Sequence, residues 1–180
     1  MAIEPNDVLS FWFSAKMREN WFTKSDAIDE EIRKKFLEAY EDARSGRMET
    51  WKQQPESALA LTILFDQFSR NMFRGSPRSF ESDGLALDVA MQALDHDFDR
   101  QLSAEQRQFF YLPFMHSEKL DDQKRCVELY EKLGDAYSLG FAREHHDIIE
   151  QFGRFPHRNN VLGRKTTEDE ADFLKEHTGF

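Results

Sequence analysis

Apolar residues recur at helical spacing along most of the chain, and the alternation expected of strands is sustained nowhere. From Ser25 or Asp26 onward, Ile28, Ile32, Phe36, Tyr40 and Ala43 fall on one stripe, while Asp29, Glu30, Arg33, Lys34 and Glu41 fill the other face. Gly46 stops this pattern as a left-handed cap would. Pro55 suits the first turn of the next helix, which runs through Ala58-Leu59-Ala60-Leu61-Thr62-Ile63-Leu64-Phe65 to about Phe73. Its first half is apolar nearly all round, the mark of a central, buried helix.

Three further helices have readable ends. One covers about residues 79–96, one starts at the capping box Ser103-x-x-Gln106, and one covers residues 121–133 with Gly134 behind it. Pro113 is expected to kink or divide the second of these. Another helix, over about residues 135–152, carries Phe141, His145, Ile148 or Ile149 and Phe152 on one stripe, which turns His145 inward; Gly153 ends it. Residues 154–165, with Pro156, Asn159, Asn160 and Gly163, read as an ordered loop, and the last helix begins at the capping box Thr167-x-x-Glu170.

Helices joined by short turns become antiparallel neighbours that pack as hairpins. The sequence therefore predicts an all-α fold, a compact array of about eight helices in antiparallel hairpins, with pairs starting near residues 26, 79 and 121. No strict 34-residue repeat is present, so periodicity alone does not define a regular solenoid. At 180 residues, a single helical domain over residues 1–180 is expected. The 17 Phe, 3 Trp and 4 Tyr supply large side chains that fill a helical core with few residues, which argues against disorder.

A net charge of −10 disfavours non-specific binding to nucleic acid, which needs a surplus of Lys and Arg on some face. Cys126 is the only cysteine, so no intramolecular disulfide can form and a reducing compartment fits. The longest apolar run is far short of the roughly 20 residues that span a membrane. Met1-Ala2-Ile3-Glu4-Pro5 offers neither a basic start nor an apolar signal core. A cytoplasmic location without membrane attachment is expected.

Chemistry concentrates in three places. Asp66 and Arg70 are four apart, as are Gln67 and Asn71, which puts each pair on one helix face at the end of the most apolar segment. These residues read either as the floor of a pocket or as a salt bridge with amide caps. No acid lies between Asp66 and Glu81, where Arg70, Arg74 and Arg78 occur, nor between Glu150 and Glu168, where Arg154, Arg158, Arg164 and Lys165 occur. Arg dominates these windows, and its planar guanidinium suits bidentate capture of carboxylate or phosphate; pairing with carboxylates of neighbouring helices would use the same geometry. Histidines form the third group: His116 before Ser117-Glu118, His145 and His146 before Asp147, and His157 between Pro156 and Arg158.

Dipeptide His146-Asp147 is similar to the signature of His-Asp metal phosphohydrolases, with His116 and Asp169 or Asp172 as conceivable further ligands. Ligands one helical turn apart, the usual strong metal signature, are not evident, so no metal and no cofactor are expected. A serine nucleophile elbow, a phosphate loop, a dinucleotide-binding glycine pattern and Cys-x-x-Cys are all missing.

Longer strings carry a family resemblance. Asp7-Val8-Leu9-Ser10-Phe11-Trp12-Phe13, Trp21-Phe22, Asp66-Gln67-Phe68-Ser69-Arg70-Asn71, Leu112-Pro113-Phe114-Met115-His116-Ser117-Glu118, Asp122-Gln123, Phe152-Gly153-Arg154-Phe155-Pro156-His157-Arg158-Asn159 and Leu162-Gly163-Arg164 resemble the uncharacterised bacterial domain-of-unknown-function 924 family over almost the whole chain. The resemblance implies a tetratricopeptide-repeat-like helical fold and no established activity. The family's pattern puts Pro where this chain has Ser69, implying a less rigid turn after Phe68. It also puts a basic residue at the position of His146, which gives His145 more weight and removes weight from the His146-Asp147 pair.

The favoured expectation is a helical binding module that recognises a small anionic molecule or an acidic peptide. Its pocket would be lined by Arg70, Asn71, Arg74, His116, His145, Arg154, His157, Arg158 and Arg164. The alternative is a hydrolase of phosphate or acyl bonds in which Asp66, His116, Glu118 and His145 do acid–base or metal work. On a third reading the same residues only hold the fold together.

Overall fold

The computed structural model describes residues 3–177 and residue 179; the reading of Met1 and Ala2 lies outside the described residues. In chain order the α-helices are α1 (Pro5–Trp12), α2 (Ala15–Arg18), α3 (Asp26–Arg44), α4 (Pro55–Ile63), α5 (Ser69–Met72), α6 (Asp83–Asp95), α7 (Ala104–His116), α8 (Leu120–Leu133), α9 (Ala136–Phe152) and α10 (Glu168–Glu176). A π-helical turn, Leu64–Phe68, joins α4 to α5, and short 3₁₀ turns occur at Glu49–Gln53, Pro77–Phe80, Asp99–Gln101 and Pro156–Arg158. Among the described residues there is no strand, and no helix is long and apolar enough to cross a membrane.

The chain divides into two compact units. The first holds residues 3–74 and Arg78–Pro113, and an aromatic cluster fills its core. Trp12 is fully buried, with ring centroids of Trp21, Phe68 and Phe109 at 6.1, 5.5 and 5.7 Å; Phe68 in turn lies 4.7 Å from Phe36. Phe68 and Phe109 meet Trp12 edge-to-face and Trp21 stacks on it, so large area is buried with directed contacts. Helix α1, which supplies Trp12, is too short for periodicity to reveal. It starts with Pro5 in its first turn and a reciprocal bond in which Asp7 accepts from the Glu4 N–H at 2.9 Å.

Ile28, Ile32, Phe36, Tyr40 and Ala43 are all buried along α3, Ser25 caps its start, and Gly46 follows with φ of +82°. Residues 58–69 are buried without exception, so α4 and the π turn form the predicted central element. The helix from Pro55 does reach the predicted region near Phe73, but through the i→i+5 turn at Leu64–Phe68. No separate turn follows Phe68, contrary to the expectation there: Ser69 opens α5 directly, and its hydroxyl donates to the Phe65 carbonyl at 2.6 Å, relieving the widened ladder.

Helix α6 begins at Asp83, not near residue 79. Residues Pro77–Phe80 form a 3₁₀ turn instead, and Ser82, just ahead of the helix, donates to the Phe65 carbonyl at 2.7 Å. Helix α7 starts at the predicted capping box, with Ser103 and Gln106 bonding each other's backbone N–H. It is not divided at Pro113. The missing N–H and ring clash there are offset by burial, since residues 109–115 are all inaccessible.

The second unit holds Gly75–Pro77 and the described residues from Phe114 onward. Helices α8 and α9 pair as a hairpin closed by Gly134, at φ of +78°, and by Asp135, whose carboxylate accepts from the N–H groups of Tyr137 and Ser138 at 3.1 and 3.2 Å. Ile148, Ile149 and Phe155 form the core of this unit, packed by Leu120, Phe152 and Phe173. Phe141, expected on the buried stripe of α9, is exposed and leans on Tyr137 with ring centroids 5.1 Å apart. Ile148 and Ile149 satisfy the stripe without it.

Because a side chain at Gly134 would meet open space, Gly134→Ala isolates the strain of the left-handed conformation. It should lower the unfolding free energy by about 1 kcal/mol, read as a shift in denaturant midpoint at unchanged slope. An unchanged midpoint would show that the hairpin turn tolerates another conformation.

Candidate functional site

In the first unit, the π turn sets Asp66 in the core at 1% exposure, where Gln67 and Arg70 contact it. Gln67 Nε2 donates to Asp66 Oδ2 at 2.6 Å, Arg70 Nη1 lies 3.3 Å from Asp66 Oδ1, and the same nitrogen donates to the Asp66 carbonyl at 2.8 Å. Arg70 then makes a two-pronged pair with Asp83 at 2.8 and 3.0 Å. Asp83 occupies the first turn of α6, where a carboxylate also complements the helix dipole.

Asn71 donates to Asp29 Oδ1 at 2.8 Å, and Arg74 grips both oxygens of Asp29 at 2.6 and 3.0 Å. Arg78 reaches Glu41 and, at 3.0 Å, Glu81, while stacking 3.9 Å over Phe73. The arginines of the first acid-free window thus meet acids from α3, from the first turn of α6 and, in Glu81, from just ahead of it. Arg70 with Asp83 and Arg74 with Asp29 are fork-to-carboxylate contacts, and Arg78 bridges two acids with separate nitrogens, which explains why Arg and not Lys fills these positions.

In the second unit, the loop after α9 is held by two more forks. Arg164 Nη1 and Nη2 lie 2.7 and 3.0 Å from the two oxygens of Glu118, and Arg154 Nε and Nη2 lie 2.6 and 2.8 Å from those of Glu170. Asn159, fully buried, accepts from Arg164 Nε at 3.0 Å and donates to Glu170 at 3.1 Å, linking the forks. Hydrogen bonding by Arg154 outweighs burial and brings the Glu170 carboxyl down to about 2. Burial tends to raise Glu118, but Arg164 and the Phe155 N–H more than compensate, leaving it below the usual carboxylate range.

These contacts hold Phe155 at both ends of its peptide unit. Its N–H donates to Glu118 Oε1 at 2.8 Å and its carbonyl accepts from Arg164 at 3.0 Å. Around the buried Phe155 ring gather the candidate groups: His145 edge-on at 5.4 Å, His157 at 5.6 Å, and the Arg158 guanidinium over the face at 4.5 Å. Arg158 is 6% exposed and donates to the His116 carbonyl at 3.0 Å, which brings the end of α7 to the same place.

His145 Nδ1 lies 2.8 Å from the Phe141 carbonyl, so that nitrogen carries the proton and Nε2 is the acceptor of the neutral ring. Burial, then the positive charge of His116, depress its pKa to about 3, with Arg158 and His157 adding to the effect. Burial and the Arg158 charge bring His157 down to about 4, with His177 contributing.

Of the predicted site residues, His116, His145, His157 and Arg158 come together about Phe155, with Glu118 and Arg164 fixing the backbone behind it. Arg154 serves the loop fork. Asp66, Arg70, Asn71 and Arg74 make their contacts within the first unit, with Asp83 and Asp29. Sequence reasoning missed Asp83, Asp29 and Phe155 as organising residues; the first-turn position of an acid was a local signal for Asp83 and Asp29, and nothing local marked Phe155. Glu170 was recognised as a capping residue, a role it has, since its carboxylate accepts from the Thr167 N–H at 2.8 Å.

Among the described residues, His146, Asp147 and Glu150 come nearest to a metal-ligand set, with donor atoms within 4.8 Å of one another, and both acids are exposed. His116, Asp169 and Asp172 do not join that set.

The profile of a family described as "Bacterial protein of unknown function (DUF924)" matches residues 8–178. Among solved structures, the chain is similar to one titled "Structure of Protein of Unknown Function ATU0120 from Agrobacterium tumefaciens": 40% sequence identity, coverage of 96% of this chain and 97% of that one, and a TM-score of 0.91. No curated protein matches the chain.

Two measurements test this geometry. Glu118→Ala leaves the Phe155 N–H without its acceptor and Arg164 without its carboxylate and should cost about 2 kcal/mol, whereas Asp172→Ala, in an exposed pair with Lys175, should stay within about 0.5 kcal/mol. Equal effects in urea titrations would contradict the clamp. The second is pH dependence. His145 and His157 have folded-state values below the unfolded value near 6.5, so the unfolded chain binds more protons and stability falls as pH drops from about 6.5 towards 4. Each group contributes about 1.4 kcal/mol per pH unit at most. His145→Gln should flatten this slope; an unaltered slope would remove His145 from the cluster.

Proposed function

The chain belongs to the bacterial family of unknown function DUF924, and we propose that it is a helical binding module whose ligand is a small anion or the acidic end of a peptide. The anion is held by His116, His145, His157 and Arg158 about the Phe155 ring. The observation that carries this reading is the gathering of the His145 and His157 imidazoles and the Arg158 guanidinium at one buried ring, with His116 at the end of α7 beside them, in a chain of net charge −10. Each positive charge there raises the cost of the others, and an anion supplies the opposing charge.

Arg70, Asn71, Arg74, Arg154 and Arg164, which the sequence also nominated, have acids of the protein itself or the Phe155 clamp as partners. They are structural in this reading. A tetratricopeptide-repeat-like hairpin array is compatible with it, because such arrays present peptide-binding faces. So is a reducing cytoplasm, since Cys126 is buried and its thiol is pushed up by burial. The hydrolase alternative has less support: Glu118 is engaged by Arg164 and the Phe155 N–H, and Asp66 by Gln67 and Arg70.

Inorganic phosphate, acetate and short peptides with free carboxyl ends should raise the melting temperature, more at pH 5.5 than at 7.5, because an anion favours protonated imidazoles. His157→Gln and Arg158→Lys should weaken the protection, while Arg74→Ala should leave it intact. No protection by any of these anions in a folded wild-type chain at pH 5.5 would end the proposal.

A further inference from the structure

Helix α9 is anchored on one side and open on the other. His145, Ile148 and Ile149 are buried, whereas Asp147 and Glu150 are exposed and the His146 side chain is 20% accessible. Helical positions i, i+1 and i+4 form a triangle on one surface, because four steps return the chain to within about 40° of its starting direction, one turn further on. His146, Asp147 and Glu150 occupy these three positions. The dipeptide His146-Asp147 alone has no ligand one helical turn away; Glu150 supplies it.

The three side chains have the spacing of ligands around one ion. His146 Nδ1 lies 3.1 Å from Asp147 Oδ1. Two donors each about 2.1 Å from a metal lie about 2.9 Å apart when they meet it at right angles and about 3.4 Å apart at the tetrahedral angle. The observed separation falls between these limits, and donor atoms of all three residues lie within 4.8 Å of one another. Glu150, being exposed, closes the remaining gap by turning about its own side-chain bonds, while the buried Ile148 and Ile149 hold the backbone beneath it.

Charge favours the same occupant. The arginines nearest along the chain are committed elsewhere, Arg143 to Glu131 and Arg154 to Glu170. Among the described residues, neither Asp147 nor Glu150 pairs with a Lys or Arg. Two carboxylates three apart on a helix repel each other, and a divalent cation between them removes that repulsion.

We propose that His146, Asp147 and Glu150 form an exchangeable site for a first-row divalent cation of the Zn²⁺ type. One imidazole and two carboxylates suit Zn²⁺, whereas Mg²⁺ and Ca²⁺ take oxygen ligands and gain nothing from His146. Three protein ligands leave coordination positions to water, and the exposure of both acids lets the ion enter and leave. The site is separate from the Phe155 cluster, against which the neighbouring His145 is buried.

The test is calorimetric titration of the tag-free full chain with Zn²⁺, Mg²⁺ and Ca²⁺ at about pH 7.5, since imidazole ligates as the neutral ring. Zn²⁺ titrations of His146→Ala, Glu150→Gln and, as a control, His96→Ala follow. The first two should each weaken Zn²⁺ binding about tenfold without lowering the melting temperature of the metal-free protein, and the control should not weaken it. Mg²⁺ and Ca²⁺ should bind far more weakly than Zn²⁺. In nitrogen NMR spectra of the histidine rings, the His146 signals should move first as Zn²⁺ is added. Unaltered Zn²⁺ affinity in His146→Ala, or equal affinity for Ca²⁺ and Zn²⁺, would mean exposed carboxylates only and overturn the site. Ring shifts confined to His116, His145 and His157 also overturn it, by placing the ion at the Phe155 cluster, as does the absence of any Zn²⁺ heat or ring shift in the folded protein.

Discussion

The clamp of Glu118 and Arg164 on the two sides of Phe155 is the interaction on which the second unit's chemistry depends. Backbone in a loop must find partners for its N–H and C=O groups, and burial makes an unmet partner costly. Here one ion pair meets both ends of a single residue: the carboxylate accepts the N–H while the guanidinium donates to the carbonyl. The ring so fixed becomes the surface against which His145, His157 and Arg158 are arranged. Arg is required because one side chain donates at once to Glu118, to Asn159 and to the Phe155 carbonyl; a lysine ammonium has no planar fork to do so.

The same economy governs the first unit. A buried Asp66 would cost several kcal/mol as an isolated charge, so it is surrounded by Gln67, Arg70 and, through Arg70, Asp83. The π turn is part of this solution, because the wider i→i+5 turn occurs where polar residues enter the core. Arg74 and Arg78 tie the end of α5 and the following segment to acids of α3, so a sequence window without acids is filled from a helix over thirty residues earlier. Part of the charged face of α3, through Asp29 and Glu41, supplies these partners.

Helices were legible where termini carry chemistry of their own. Ser25, Gly46, Pro55, Ser103, Gly134, Asp135, Gly153 and Thr167 all mark ends found in the structure, because caps act within four residues. Helix α1 was not read from the sequence, since eight residues are too few to show a period. The start of α6 was misplaced because Ser79 and Ser82 are equally plausible caps locally, and only Ser82's bond to the Phe65 carbonyl distinguishes them. Of the site, residue types and windows could be read, but not which guanidinium meets which carboxylate. Pairings such as Arg164 with Glu118 join residues 46 apart, and nothing local encodes that separation.

The histidine cluster sets stability against any charge placed on it. Buried imidazoles near Arg158 favour the neutral ring, so the fold is most stable where His145 and His157 carry no charge. On the anion reading proposed above, a bound anion would favour the charged rings, so part of its binding free energy would go into protonating imidazoles that the fold prefers neutral, and the surplus would be the measurable affinity. Such a site would discriminate by charge more than by shape: a neutral ligand of equal size would leave the imidazoles unprotonated and gain nothing from them. Binding coupled to protonation in this way would weaken as pH rises.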